Sequence, residues 1–199
     1  MIIIKSDSEI DLMKASGRVT GFSLRELETF IKPGLSTADV DRFVEKTIRD
    51  AGMIPTFKGY GGFPASACVS VNEEVVHGIP NKKRILREGD IVSVDVGSTY
   101  KGYVSDAART YPVGNVSDVA RHLMDATRDS FFAGLEFCRV GYRLSDISHA
   151  VQVSAESEGF GVIRDYVGHG VGQKMHEDPQ IPNYGKAGRG PRLAVGMVF

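Results

Sequence analysis

The spacing of apolar residues changes twice along the chain. From Ile10 through Met13, Gly17, Thr20, Leu24, Leu27 and Ile31 it steps by three and four, the mark of one buried helical face. Ser6-Asp7-Ser8-Glu9 reads as the capping box that opens this helix, and Pro33-Gly34 stops it. A second helix starts near Ser36, buries Val40, Phe43, Val44 and Ile48, and ends at Gly52. Residues 53–113 read as strands and turns, two more helices follow at roughly 117–138 and 144–158, and the rest is strand and loop punctuated by glycine and proline. No linker or low-complexity segment divides the chain, which predicts a single α+β domain over residues 1–199.

A weak internal repeat organises these elements. Gly34 to Gly52 and Gly141 to Gly159 have the same length, and the offset that relates them aligns Asp39 with Asp146, Val40 with Ile147, and Val44 with Val151. It also carries Leu86 to Leu193, Gly89 to Gly196, and Ile91-Val92 to Val198-Phe199. Together the matches predict two α+β halves related by pseudo-symmetry.

Within the β region, Asp95 and Asp106 each interrupt an apolar run, Ile91-Val92-Ser93-Val94-Asp95-Val96-Gly97 and Gly102-Tyr103-Val104-Ser105-Asp106-Ala107-Ala108. The turn-rich Gly97-Ser98-Thr99-Tyr100-Lys101-Gly102 reads as the loop of a hairpin. Pairing centred between Tyr100 and Lys101 sets the aspartates opposite one another, with Cβ atoms roughly 5 Å apart. Like charges so placed repel and are poorly solvated, a conflict that a bound cation or a shared proton would resolve. A solvent-facing pair on an amphipathic hairpin is the plain alternative.

Composition narrows the classes. The chain has 199 residues, 42% apolar and 25% charged, which is ordinary for a globular protein. A formal charge of −1 argues against nucleic acid or an anionic membrane as partner, and Lys82-Lys83-Arg84 reads as solvated loop charge. Cys68 and Cys138 are the only cysteines, so no disulfide framework is implied and a reducing compartment fits. Met1-Ile2-Ile3-Ile4-Lys5-Ser6-Asp7 is too short in apolar length for a signal peptide, and there is no 18-residue apolar run. A cytoplasmic location is expected.

The histidines differ in setting. His169 sits in Gly168-His169-Gly170-Val171-Gly172, where flanking glycines permit close approach, and His176 follows in Met175-His176-Glu177-Asp178-Pro179. His77 lies in Val75-Val76-His77-Gly78-Ile79-Pro80, read as an apolar strand ending in a turn, where a lone histidine is more often a core residue than a ligand. His122 and His149 fall on polar helix positions. Carboxylate and imidazole together suit Zn, Mn, Fe or Co, but two aspartates and one histidine are too few for a closed two-metal site.

The segments Asn72-Glu73-Glu74-Val75-Val76-His77-Gly78-Ile79-Pro80, the Asp95/Asp106 hairpin, Gly168-His169-Gly170-Val171-Gly172 and His176-Glu177-Asp178-Pro179 resemble type I methionine aminopeptidases, and the resemblance runs the length of the chain, including Lys32-Pro33-Gly34 and Gly59-Tyr60-Gly61-Gly62-Phe63-Pro64. It implies the pita-bread (creatinase/aminopeptidase) fold, with two pseudo-symmetric halves around a curved antiparallel sheet, and an enzyme that removes the initiator methionine of nascent proteins when the second residue is small. It also implies two divalent ions (Co, Mn, Fe or Zn), with Asp95 chelating one, Asp106 bridging both, His169 binding the other, and a bridging hydroxide as nucleophile. His77 and His176 would hydrogen-bond substrate as catalytic residues, and Phe57, Tyr60, Phe63, Cys68 and Met175 would line the methionine pocket. A monomer working near the ribosome, without nucleic acid or membrane as partner, completes the implied picture. A non-catalytic binding protein on the same scaffold and an Xaa-Pro aminopeptidase or prolidase are the alternatives. The retained Asp95, Asp106, His169, His77 and His176 disfavour the first, and a first helix beginning by Ser6, with no extra domain before it, disfavours the second.

Leu193-Ala194-Val195-Gly196-Met197-Val198-Phe199 reads as the opening of a buried strand, and the family's two further metal-binding glutamates would lie after it. The sequence is therefore expected to be a fragment, with its second half incomplete and lacking carboxy-terminal strands. On this expectation the purified 199-residue chain, supplied with Mn or Co, releases little methionine from a Met-Ala-Ser peptide; robust turnover would contradict it.

Overall fold

The computed structural model describes residues 1–199, which form two compact units. The first comprises Ser8–Asp118 and Gly172–Met175, the second Met1–Asp7, Val119–Val171 and His176–Phe199.

The first unit holds helices α1 (Asp7–Phe30, from Ser8 on) and α2 (Thr37–Asp50) and strands β1 (Ile54–Pro55), β2 (Ala67–Val71), β3 (Ile91–Tyr100) and β4 (Tyr103–Pro112). β3 is the centre: β4 pairs along its whole length on one edge, and β1 and β2 share the other edge end to end, all antiparallel. Alternation then separates two faces. On one, Val69, Val71, Val92, Val94, Val96 and Tyr111 pack against Leu24, Leu27, Val40, Val44 and Ile48 of the helices, all buried. Thr20 of α1 enters the same face as a polar plug, its hydroxyl 3.0 Å from Ser98 Oγ and 2.7 Å from Ser105 Oγ. The apolar period of α1 and α2 is thus the period of contact with one side of this sheet, and the other side is left for different chemistry.

The second unit contains α3 (Asp118–Leu135, from Val119 on), α4 (Leu144–Ser157) and a two-stranded sheet of β5 (Gly168–Gly170) and β6 (Glu177–Ile181). Several of its local bonds repeat those of the first unit at the offset expected from the sequence. Ser36 bridges Ile85 and Arg143 bridges Arg192. Leu86 N–H donates to Leu35 O and Leu193 N–H to Tyr142 O; Thr37 N–H donates to Arg84 O and Leu144 N–H to Pro191 O. The helix ends match too, with Met53 N–H on Ile48 O and Phe160 N–H on Ala155 O, and Gly89 and Gly196 both have φ +89°. Burial is less symmetric: Leu24 is 5% exposed and its counterpart Phe131 61%.

Two expected strands are absent. Val75-Val76-His77 lies in the loop after β2, and the segment after Leu193 makes a turn closed by Met197 N–H on Ala194 O, with Gly196 at its positive-φ corner. In both places apolar residues alternate as in a strand, but a residue at positive φ, His77 or Gly196, bends the chain away from extension.

Each second helix is capped by an aspartate in its first turn. Asp39 accepts from the backbone N–H (2.8 Å) and hydroxyl of Ser36, and Ser36 Oγ accepts from Asp39 N–H, a complete reciprocal box. Asp146 accepts from Arg143 N–H at 2.7 Å, but arginine has no acceptor to return, so only half the box forms. These bonds hold both carboxyls below the ordinary aspartate range. A depressed folded-state value stabilises above the unfolded value and is lost as pH falls through the folded one. Asp39→Ala and Asp146→Ala are therefore each expected to cost about 1 kcal/mol at neutral pH, with the difference from the parent chain shrinking in urea melts run below the aspartate range.

Candidate functional site

The hairpin that carries the two aspartates is tighter than its sequence suggests. Strand pairing runs up to Tyr100 and Tyr103, leaving only Lys101 and Gly102 as loop, both at positive φ (47° and 83°). Two-residue loops with positive φ match the right-handed twist of their strands, which is why the strands stay paired to the tip. The register moves by two residues from direct opposition: Asp106 pairs with Gly97, and Asp95 pairs with Ala108 on one side and Cys68 on the other. Because the shift is even, both carboxylates remain on one face, as diagonal neighbours with a Cα separation of roughly 7–8 Å. This is the face opposite the α1–α2 core, and both aspartates are half-buried on it.

Beside them lies a second apolar cluster of Phe57, Cys68, Val104 and Met175, with Phe63 packed against it. Four of the five expected pocket residues are in it; Tyr60 stands on the short 3-10 turn Tyr60–Gly62 between Phe57 and Phe63, half exposed. Gly97 makes the cluster fit, since a Cβ there would lie 2.5 Å from the Phe57 ring. Phe57 thus occupies the space over the residue that faces Asp106. Burial first, then the Asp95, Asp106 and Asp41 carboxylates, push the Cys68 thiol up to about 12, so near neutral pH it is a protonated wall residue and not a nucleophile.

His77 is exposed and has φ 62°, a left-handed conformation that costs a non-glycine residue energy and gathers at functional positions. The next residue holds it there. Gly78 runs against β2, its O accepting from Val69 N–H at 2.9 Å and its N–H donating to buried Ser70 Oγ at 3.0 Å, and any Cβ on it would meet Val69 O at 2.3 Å.

The other two candidate histidines, His169 and His176, belong to the second unit. The His169 and His176 ring centroids are 4.3 Å apart at an interplanar angle of 48°. His169 Nδ1 lies 3.0 Å from Gly170 O. A carbonyl only accepts, so Nδ1 carries a proton, which makes Nε2 the nitrogen that could ligate a metal. Carboxylates paired on one sheet face, as in the first unit, and imidazole nitrogens, as in the second, are each ligand types that suit divalent transition metals. No three His, Cys, Asp or Glu side chains in the chain stand together as a preformed metal cluster. His122 and His149 are on the surface, as expected.

Residues 11–199 match the family model Metallopeptidase family M24. The chain is 57% identical to methionine aminopeptidase of Clostridium acetobutylicum over all 199 residues, covering 80% of that protein, and 52% identical to methionine aminopeptidase 1 of Bacillus subtilis with the same coverage. The crystal structure of methionine aminopeptidase from Thermotoga maritima superposes with a TM-score of 0.97 at 50% identity, covering 99% of this chain and 79% of that one. The chain belongs to metallopeptidase family M24, with the methionine aminopeptidases.

The α+β pita-bread class expected from the resemblance is the fold of this M24 chain, and metallopeptidases of the family use divalent metal. Of the parts that build the site, Gly97, Val104, Ser70 and Gly78 escape a reading by residue chemistry, because their work is steric or done through backbone. The one signal for Gly97 is a glycine inside a strand rich in β-branched residues, where a close approach is a usual reason. Gly97→Ala is expected to destabilise by about 1–3 kcal/mol as its methyl displaces the Phe57 ring, and the cost should largely vanish in a Phe57→Ala background. An unchanged cost there, in paired urea melts, would remove the Phe57 contact as its cause.

Proposed function

We propose that the two units act as one catalytic domain, residues 1–199, of a metal-dependent aminopeptidase that removes the initiator methionine of nascent proteins when the second residue is small. The observation that carries this reading is the shared face on which Asp95 and Asp106 border the apolar cluster of Phe57, Phe63, Cys68, Val104 and Met175. Carboxylates at the rim of an apolar recess suit a substrate with a charged amine at one end and an unbranched apolar side chain at the other. Chain connectivity supports the part played by the second unit: Gly172–Met175 belong with the cluster, and His169 and His176 flank that segment.

Asp95 would hold one ion, Asp106 both, and His169 the other, through Nε2, since its Nδ1 faces the Gly170 carbonyl. Two divalent ions (Co, Mn, Fe or Zn) would supply Lewis acidity and a nucleophilic water near neutral pH. His77 and His176 would donate hydrogen bonds around the scissile peptide, where negative charge develops in the transition state. Phe57, Phe63, Cys68 and Met175 receive the methionine side chain and exclude water from it, with Tyr60 at the edge. Reading of the free α-amine at the same carboxylate face limits removal to a single residue. The working form is a cytoplasmic monomer acting on chains near the ribosome; a net charge of −1 and the lack of any helix long and apolar enough to cross a membrane accord with that.

Calorimetry with Mn tests the site without depending on turnover. The chain is expected to bind the ion, and Asp106→Asn and His169→Ala each to weaken binding by at least about tenfold. In the presence of Mn, Met-Ala-Ser should bind and its N-acetylated form should not. Equal binding of the two peptides, or of the metal by all three proteins, would contradict the proposal.

A further inference from the structure

Lys5 ends the apolar run Met1-Ile2-Ile3-Ile4, yet it is not a surface lysine. Its side chain is 3% exposed and that of its partner Glu177 5%, with Nζ donating to Glu177 Oε2 at 2.5 Å and to Ile3 O at 3.2 Å. The backbone around it is clamped as well: Lys5 N–H donates to Gly196 O at 2.7 Å, and a Cβ on Gly196 would meet Ile4 Cγ2 at 2.6 Å. A buried ion pair is a poor source of stability, because desolvation of both charges offsets their attraction, and apolar replacement of the pair is often neutral or better. What distinguishes this pair is where it lies. Glu177 opens β6 opposite Gly170, at the irregularity between His169 and Gly170, and it directly follows His176. His176 is itself exposed, so burial does not fix its ring, which nonetheless lies 4.3 Å from that of His169.

We propose that Lys5 is a positioning residue for His176. By anchoring the Glu177 carboxylate in the interior of the second unit, it sets the path of the chain through His176-Glu177 and holds the imidazole against His169. The charge is needed because a lysine reaching from the amino-terminal segment can bind one carboxylate in one place, whereas apolar packing of the same volume would leave β6 free to slide. The inference rests on the roles proposed above for His169 and His176, and it gives the amino-terminal segment a part in the reaction: substrate contact by His176 depends on residue 5.

The test compares the parent chain, Lys5→Met, and Lys5→Met combined with Glu177→Met, reading thermal unfolding and the nuclear Overhauser effect between the His169 and His176 rings. Lys5→Met removes the cation from a buried carboxylate and is expected to lower Tm and lose the ring contact. The double variant removes both charges and is expected to recover Tm while the ring contact stays lost, a separation that a purely structural role would not produce; it also carries the test if Lys5→Met alone fails to fold. Ring contact at parental strength in the double variant would overturn the proposal. The measurement needs neither metal nor turnover, so failure of the metal site would show as calorimetric Mn binding indifferent to His169 and leave this outcome separate.

Discussion

The rest of the site depends on an electrostatic constraint: two carboxylates on one face of a β-hairpin, at the margin of an apolar recess. Asp95 and Asp106 are within reach of the same buried thiol, and both oppose its ionisation. Like charges held this way raise the energy of the folded chain unless something positive joins them. A protein can keep such a pair only on a scaffold rigid enough to hold it. β3 supplies that rigidity, since it is paired on both edges around Asp95 and packed on its other face by Val92, Val94 and Val96, which are fully buried.

The scaffold also divides labour between its faces. Alternation along β2, β3 and β4 sends valines to the helices and Cys68, Asp95, Gly97, Val104 and Asp106 to the site, so a one-residue slip of register would exchange the two sets. Lys101 and Gly102 guard against that slip at the hairpin tip, and the Phe57 ring on Gly97 guards against it at the site. The second unit reuses part of the same local bonding, down to the backbone bonds from Leu86 N–H to Leu35 O and from Leu193 N–H to Tyr142 O, but turns it to a different end, presenting a pair of histidine rings.

Much of this was legible in the amino-acid order. The helices, the repeat and the common face of the two aspartates all follow from periodicity, which is a local property of the chain. The register did not, because the sum rule for a hairpin needs its turn centre, and the run from Gly97 to Gly102 looks equally turn-like throughout; only Lys101 and Gly102 leave the strands. His77 was misread as a strand residue because its apolar neighbours alternate correctly, while its left-handed backbone is imposed by contacts of Gly78 with Val69 and Ser70. The Lys5–Glu177 pair spans nearly the whole sequence, and no local pattern couples its members.

Thermal unfolding of the parent chain and Asp106→Asn, each with and without Mn, tests the central claim most directly. If the hairpin stores repulsion that a cation relieves, the metal-free Asp106→Asn chain melts above the metal-free parent, and saturating Mn reverses the order by stabilising the parent through binding. A metal-free variant that melts below the parent would show that the two carboxylates are not in conflict, and equal shifts of both chains on adding Mn would show that the site is not built around a cation.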